Sequence, residues 1–145
     1  MQTGTLWCGK RCVAPCVSRT TFLWERMAGL LGRRALPAGQ GLLITPCGAV
    51  HTVGMRFALD LVFLDGVGRV LCCVAGVPPG RFMVWGGRHA RQTLEVQAGW
   101  LDLAALNGAR LDWRPASSLS GLGARGRCRD RAVPGDGARV GPDGF

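Results

Sequence analysis

The chain has 145 residues, with 18 basic against nine acidic side chains and a formal net charge of +9. That length suits one domain with a single core, and 48% apolar with 19% charged residues fits a globular protein rather than a polyelectrolyte. No apolar stretch approaches the ~20 residues of a membrane-spanning helix, and the start, MQTGTLWCGKRCVAPC, lacks the basic-then-apolar order of a signal peptide, so a cytoplasmic location is expected.

TLWCGKRCVAPCV, residues 5–17, predicts a hairpin turning at Gly9-Lys10. Its Cys8, Cys12 and Cys16 form C-x3-C-x3-C, which differs from the C-x2-C pairs of zinc sites. Seven cysteines without a secretion signal predict reduced thiols rather than a disulfide framework. SRTTFLWERMAGLLGRR then changes period. Leu23, Met27, Leu30 and Leu31 lie on one face of an amphipathic helix, capped by Ser18, Thr20 or Thr21 and stopped before Pro37. GQGLLITP predicts a short buried strand.

MRFALDLVFLD, residues 55–65, is the strongest strand pattern. Phe57, Leu59, Leu61 and Phe63 form one face, and Arg56, Ala58, Asp60, Val62 and Leu64 the other. DGVG at 65–68 supplies a turn into RVLCCVAGV, where the adjacent Cys72 and Cys73 must face opposite ways. TLEVQAG predicts another strand, GWLDLAALNG a short helix closed by Asn107-Gly108, and ARLDW a last strand. Residues 116–145 hold seven glycines and one aromatic, so a disordered tail is predicted after a folded unit over 1–115. The whole predicts a mainly β (α+β) domain. It would be a compact β-sandwich or partly closed barrel, with one N-terminal amphipathic helix and one short C-terminal helix.

The candidate chemistry lies between Cys47 and Asp65. Cys47, His51 and Met55 stand four apart and invite a copper site, but such sites take their first His upstream and no His precedes His51. No metal or cofactor is expected. A Cys47–His51 nucleophilic pair, with Asp60 orienting the ring, is a second possibility. A structural role is preferred. A carboxylate on a buried strand needs a partner, which for Asp60 is His51, Arg26, Arg33, Arg56 or nearby backbone N–H groups.

The stretch WERMAGLLGRRALPAGQGLLITPCGAVHTVGMRFALDLVFLDGVGRVL resembles the signature region of the family called domain of unknown function 192. The matching positions are Arg26, Gly29, Leu30, Leu31, Gly32 and Arg33; then Gly41, Leu42 and Leu43; then His51, Thr52, Met55, Phe57, Leu59, Asp60, Leu61, Phe63, Leu64 and Asp65. LEVQAG and LNGARL extend the likeness, which covers about residues 13–113, with Ala58 in place of Pro and Ala109 in place of an acid. The resemblance implies a compact β-rich domain without an established activity. Some relatives carry secretion signals or are encoded beside secretion and pilus-assembly genes.

A small binding or accessory module is therefore expected, holding a small ligand or protein segment in a polar pocket near His51 and Asp60. Thr52, Met55, Cys47, Arg26 and Arg33 complete the candidate lining. A hydrolase-like enzyme with His51 as general acid/base and Asp60 as its orienter is the alternative. A binder of nucleic acid or another anionic partner through arginines comes third, because the arginines are scattered and form no run of five or six.

Overall fold

The computed structural model describes residues 1–21 and 30–119. Strands β1 (Gln2–Cys8) and β2 (Arg11–Thr20) form the hairpin expected around Gly9-Lys10. β3 (Gln40–Ile44) leads through a cis Thr45–Pro46 bond to the very short β4 (Ala49–Val50). β5 (Leu59–Leu64) and β6 (Val70–Val77) make the second expected hairpin. β7 (Val84–Trp85), β8 (Gln92–Gln97), the one-turn helix α1 (Leu103–Leu106) and β9 (Asp112–Pro115) complete the order.

Seven strands form one mixed sheet in the order β6-β5-β8-β3-β2-β1-β9, and β4 pairs only with β7 in a separate ribbon. The β2–β3 pair is parallel and the others are antiparallel. This corrects the expected two-sheet sandwich. Of the expected alternative, a partly closed barrel, the structure shows one large mixed sheet that does not close, because the edge strands β6 and β9 do not pair along their length. They meet at one corner only. There an Arg69–Arg110 bridge is flanked by the bonds Val70 N–H to Ala109 O and Leu111 N–H to Gly68 O, each 2.8 Å. Gly68, at φ 90°, lets the chains approach so closely, since a Cβ there would strike Leu111 O.

The alternation read in β5 is present. Leu59, Leu61 and Phe63 join a core with Leu42, Ile44, Val50, Met55 and Phe57 on one face. Val62 and Leu64 join Leu6, Val17, Leu43, Leu94, Val96 and Leu106 on the other. Cys72 packs against the first core and Cys73 against the second, as their adjacency requires. The second core draws side chains from β1 and β2 as well as β5, β6 and β8, so the sheet wraps around it, with Leu106 of α1 joining in. The first core is covered by irregular chain at 30–36, 46–58 and 78–90. A sheet buried on both faces in this way has no need of a second sheet.

The expected N-terminal amphipathic helix falls mainly on residues 22–29, outside the described residues; Leu30, on its predicted face, is helical and is followed by a turn. Its capping candidates Ser18 and Thr20 belong to β2, where they pair with Leu42 and Ile44. The expected tail lies outside the described residues from 120 onward. Its first four residues, Ala116–Leu119, form a 3-10 turn directly after β9.

Gly86 carries the loop before β8 across the first face of the sheet. A Cβ there would overlap the Phe63 ring and its Cβ. Its φ is not in the left-handed region, so the constraint is purely one of space. Gly86→Ala should therefore cost about 1–3 kcal/mol in urea unfolding. An unchanged midpoint would show that this loop does not lie on Phe63.

Candidate functional site

Asp60 is 2% exposed, and both of its carboxylate oxygens are engaged. Oδ1 accepts the Gly76 N–H at 2.8 Å and Oδ2 accepts the Gly99 N–H at 2.9 Å. Of the partners weighed from sequence, the backbone is the one realised. The strand alternation points Asp60 to the side of Val62 and Cys73. The Asp60 charge is one of the influences, after burial and Cys72, that push the Cys73 thiol up. His51 lies between Val50 and Met55, which pack on the opposite face. The chain neighbours of His51 thus belong to the first core, whereas Asp60 alternates toward the second.

Thr52 organises the segment that carries His51. It is fully buried, and its N–H donates to Arg81 O at 2.8 Å while its carbonyl accepts the Gly80 N–H at 2.9 Å. Its hydroxyl donates to Pro78 O at 2.7 Å and accepts the Arg81 N–H at 3.0 Å. One side chain and its backbone thus clasp the 78–81 turn to the 46–58 segment. Met55 N–H closes the local turn onto Thr52 O at 3.1 Å, and the Met55 side chain enters the first core. Cys47 is held by its N–H to Arg91 O at 2.7 Å, while its thiol donates to Ala49 O at 3.2 Å. His51 is half-buried in this layer and makes interactions of its own. Among the described residues, no three His, Cys, Asp or Glu side chains converge.

Beneath the layer, β8 presents a polar row. Thr93, Glu95 and Gln97 alternate with Leu94 and Val96, which face the second core. The Thr93 hydroxyl donates to Cys47 O at 3.1 Å, and Gln97 Oε1 accepts the Leu36 N–H at 2.9 Å. Glu95, fully buried between them, was not singled out from the sequence. Its signal was available: an acid alternating with Leu94 and Val96 inside a strand pattern, the same feature that marked Asp60. Arg33 lines a small cleft with Cys16, Ser18, Leu30, Gln40 and Leu42, away from the Thr52 clasp. Arg26 lies outside the described residues.

The outer side of the loop layer is apolar where water should be met. Phe82 is 87% exposed, Met83 71%, Trp85 64% and Val53 41%. Val53 and Phe82 each follow a residue of the Thr52–Arg81 clasp, and Trp85 is tied through the ribbon to Ala49. The sequence shows no sign of this surface, because nothing in FMVW distinguishes exposed from buried apolar side chains.

Cys72 and Cys73 are the thiols that their surroundings shift. Burial pushes Cys72 up, and burial, then the Cys72 and Asp60 charges, push Cys73 up, away from the reactive thiolate. Cys8, Cys12, Cys47, Cys72 and Cys73 are free, as expected, whereas Cys16 stands in a disulfide.

A family model for DUF192, described as Uncharacterized ACR, matches residues 15–113, so the chain belongs to that family. A search of the curated proteins found no match. Among solved structures, the fold is similar to a protein from Sinorhizobium meliloti 1021 described as a "putative transcription regulator", at TM-score 0.63 and 18% identity, over 77% of this chain and 92% of that one. It is also similar to a protein of unknown function from Novosphingobium aromaticivorans DSM 12444, at TM-score 0.60 and 20% identity, over 77% and 84%. At such identities these likenesses show the fold alone.

Thr52→Val keeps the shape of the clasp residue but removes its hydroxyl, leaving the Arg81 N–H and Pro78 O without that partner. The substitution should cost about 1–3 kcal/mol by urea unfolding. A loss below ~0.5 kcal/mol would show that the hydroxyl is not part of the joint.

Proposed function

We propose that this chain is a non-catalytic binding or accessory module whose working surface is the outer side of the 46–58 and 78–91 loops. The observation that carries this reading is the joint exposure of Val53, Phe82, Met83 and Trp85 on segments that Thr52 and the β4–β7 ribbon hold in place. Fully burying a side chain of the Val or Phe kind is worth about 1.5–3 kcal/mol. An ordered loop that leaves several such groups in water holds that free energy available for a partner. His51 belongs to the same proposal as the inner margin of that surface, since it directly precedes Thr52.

In the alternative hydrolase His51 would be oriented by Asp60, whose oxygens instead serve the Gly76 and Gly99 N–H groups. An accessory role in secretion or pilus assembly, implied by the family resemblance, also calls for a docking surface of this kind. A cytoplasmic location is part of this proposal; the free Cys8, Cys12, Cys47, Cys72 and Cys73 accord with it and the disulfide at Cys16 does not. No helix among the described residues is long and apolar enough to cross a membrane.

The test uses the anionic, apolar dye anilinonaphthalene sulfonate. The native full chain should bind it saturably, and the double variant Phe82→Ser/Trp85→Ser should lose most of that binding while keeping its thermal midpoint. No native-state binding, or equal binding by the variant, would overturn the proposal.

A further inference from the structure

We propose that the partner of this surface is an anionic lipid bilayer, a statement that rests on reading the loop layer as a binding surface. Three features select the partner. The first is the kind of apolar group. Phe82 and Trp85 could stack on bases, but Met83 and Val53 have no ring to offer, and all four can enter the boundary between headgroups and acyl chains. Trp85 is the residue type that favours that boundary.

The second feature is charge. The segments 46–58 and 78–91 carry Arg56, Arg81, Arg88 and Arg91 and no acid. All four arginines are exposed. Arg91 is braced by two bonds of 2.9 Å from Nη1 to Arg88 O and Ala90 O, and Arg88 Nε donates to His89 Nε2 at 3.1 Å. Exposed arginines on the same two segments as the apolar tips complement anionic headgroups above a hydrocarbon interior. They also disfavour a second copy of the chain, because a two-fold interface on this patch would set these arginines against one another.

The third feature is order. The tips project from a frame closed by the Thr52 clasp and by Gly86 N–H on Gly48 O at 2.9 Å. Side chains held in this way need not pay for ordering the loop when they insert. The protein would lie on the bilayer through this layer, with the sheet and its second core turned away from the lipid.

The experiment is sedimentation of the full chain with vesicles of pure phosphatidylcholine, and of equal parts phosphatidylcholine and phosphatidylglycerol. Binding is expected to the mixed vesicles and to be weak on the neutral ones. Phe82→Ser/Trp85→Ser should lower the partition coefficient at least ~10-fold, and Arg81→Gln or Arg88→Gln roughly fivefold each. Failure to bind the mixed vesicles would overturn the proposal, and so would equal binding by the Phe82/Trp85 variant, which would reduce the effect to net charge. Patch-dependent binding of a single-stranded oligonucleotide without vesicle binding would overturn it in favour of nucleic acid. Dye binding that depends on Phe82 and Trp85, together with absence of vesicle binding, would sink the lipid partner and leave the binding surface standing.

Discussion

The carboxylate of Asp60 joins three parts of the sheet at one point. β6 is irregular where it passes Asp60, since Leu59 pairs with Val77 and Leu61 with Val74. The Gly76 N–H inside that irregularity finds its acceptor in Asp60 Oδ1 rather than in the ladder. On the other side, β8 has just ended, and the Gly99 N–H of the following turn is taken by Oδ2. An ionised carboxylate is costly to bury unless its oxygens are bonded, and amide donors to a charge are among the stronger hydrogen bonds. One acid therefore sets where β6 bends and where β8 stops.

The functional layer inherits this placement. β5 is buried on both faces, so its register decides which residues support the loops above it. Phe63 lies directly beneath Gly86, and Leu59 and Leu61 share a core with Met55 and Val50. From that support the Thr52 clasp sets the outer tips at Val53 and Phe82. The sheet, the clasp and the exposed apolar groups form one line of dependence, from a strand pattern to a surface able to meet a partner. The polar row of β8, with Glu95 buried in it, lies under the same layer and ties it down through Cys47 and Leu36.

Much of this was legible in the chain because period-2 patterns carry their own geometry. The two faces of β5, the turn at Asp65, the opposed Cys72 and Cys73, and the helix closed near Asn107 all follow from local spacing. What was not legible depends on distant pairing. Ser18 and Thr20 look like helix caps when only their successors are considered, yet they are strand residues because β3 lies parallel beside them. The single wrapped sheet depends on a corner bridge between Arg69 and Arg110, which no local pattern announces. The ribbon of β4 and β7 is two residues wide and too short to show alternation. At the candidate site, the need of Asp60 for a partner was readable from its burial, but the choice among His51, arginines and backbone was not. That choice was made by a bulge in β6 and a turn after β8.

Asp60 is a structural acid whose two oxygens are satisfied by the backbone, which predicts that it acts independently of His51. A double-mutant cycle on Asp60→Ala and His51→Ala, followed by urea unfolding of the full chain, tests this directly. Loss of the carboxylate leaves two buried N–H groups unmatched and should cost about 2–4 kcal/mol, and the two substitutions should add to within ~0.5 kcal/mol. A coupling energy well above ~1 kcal/mol, or an Asp60→Ala cost below ~0.5 kcal/mol, would contradict it.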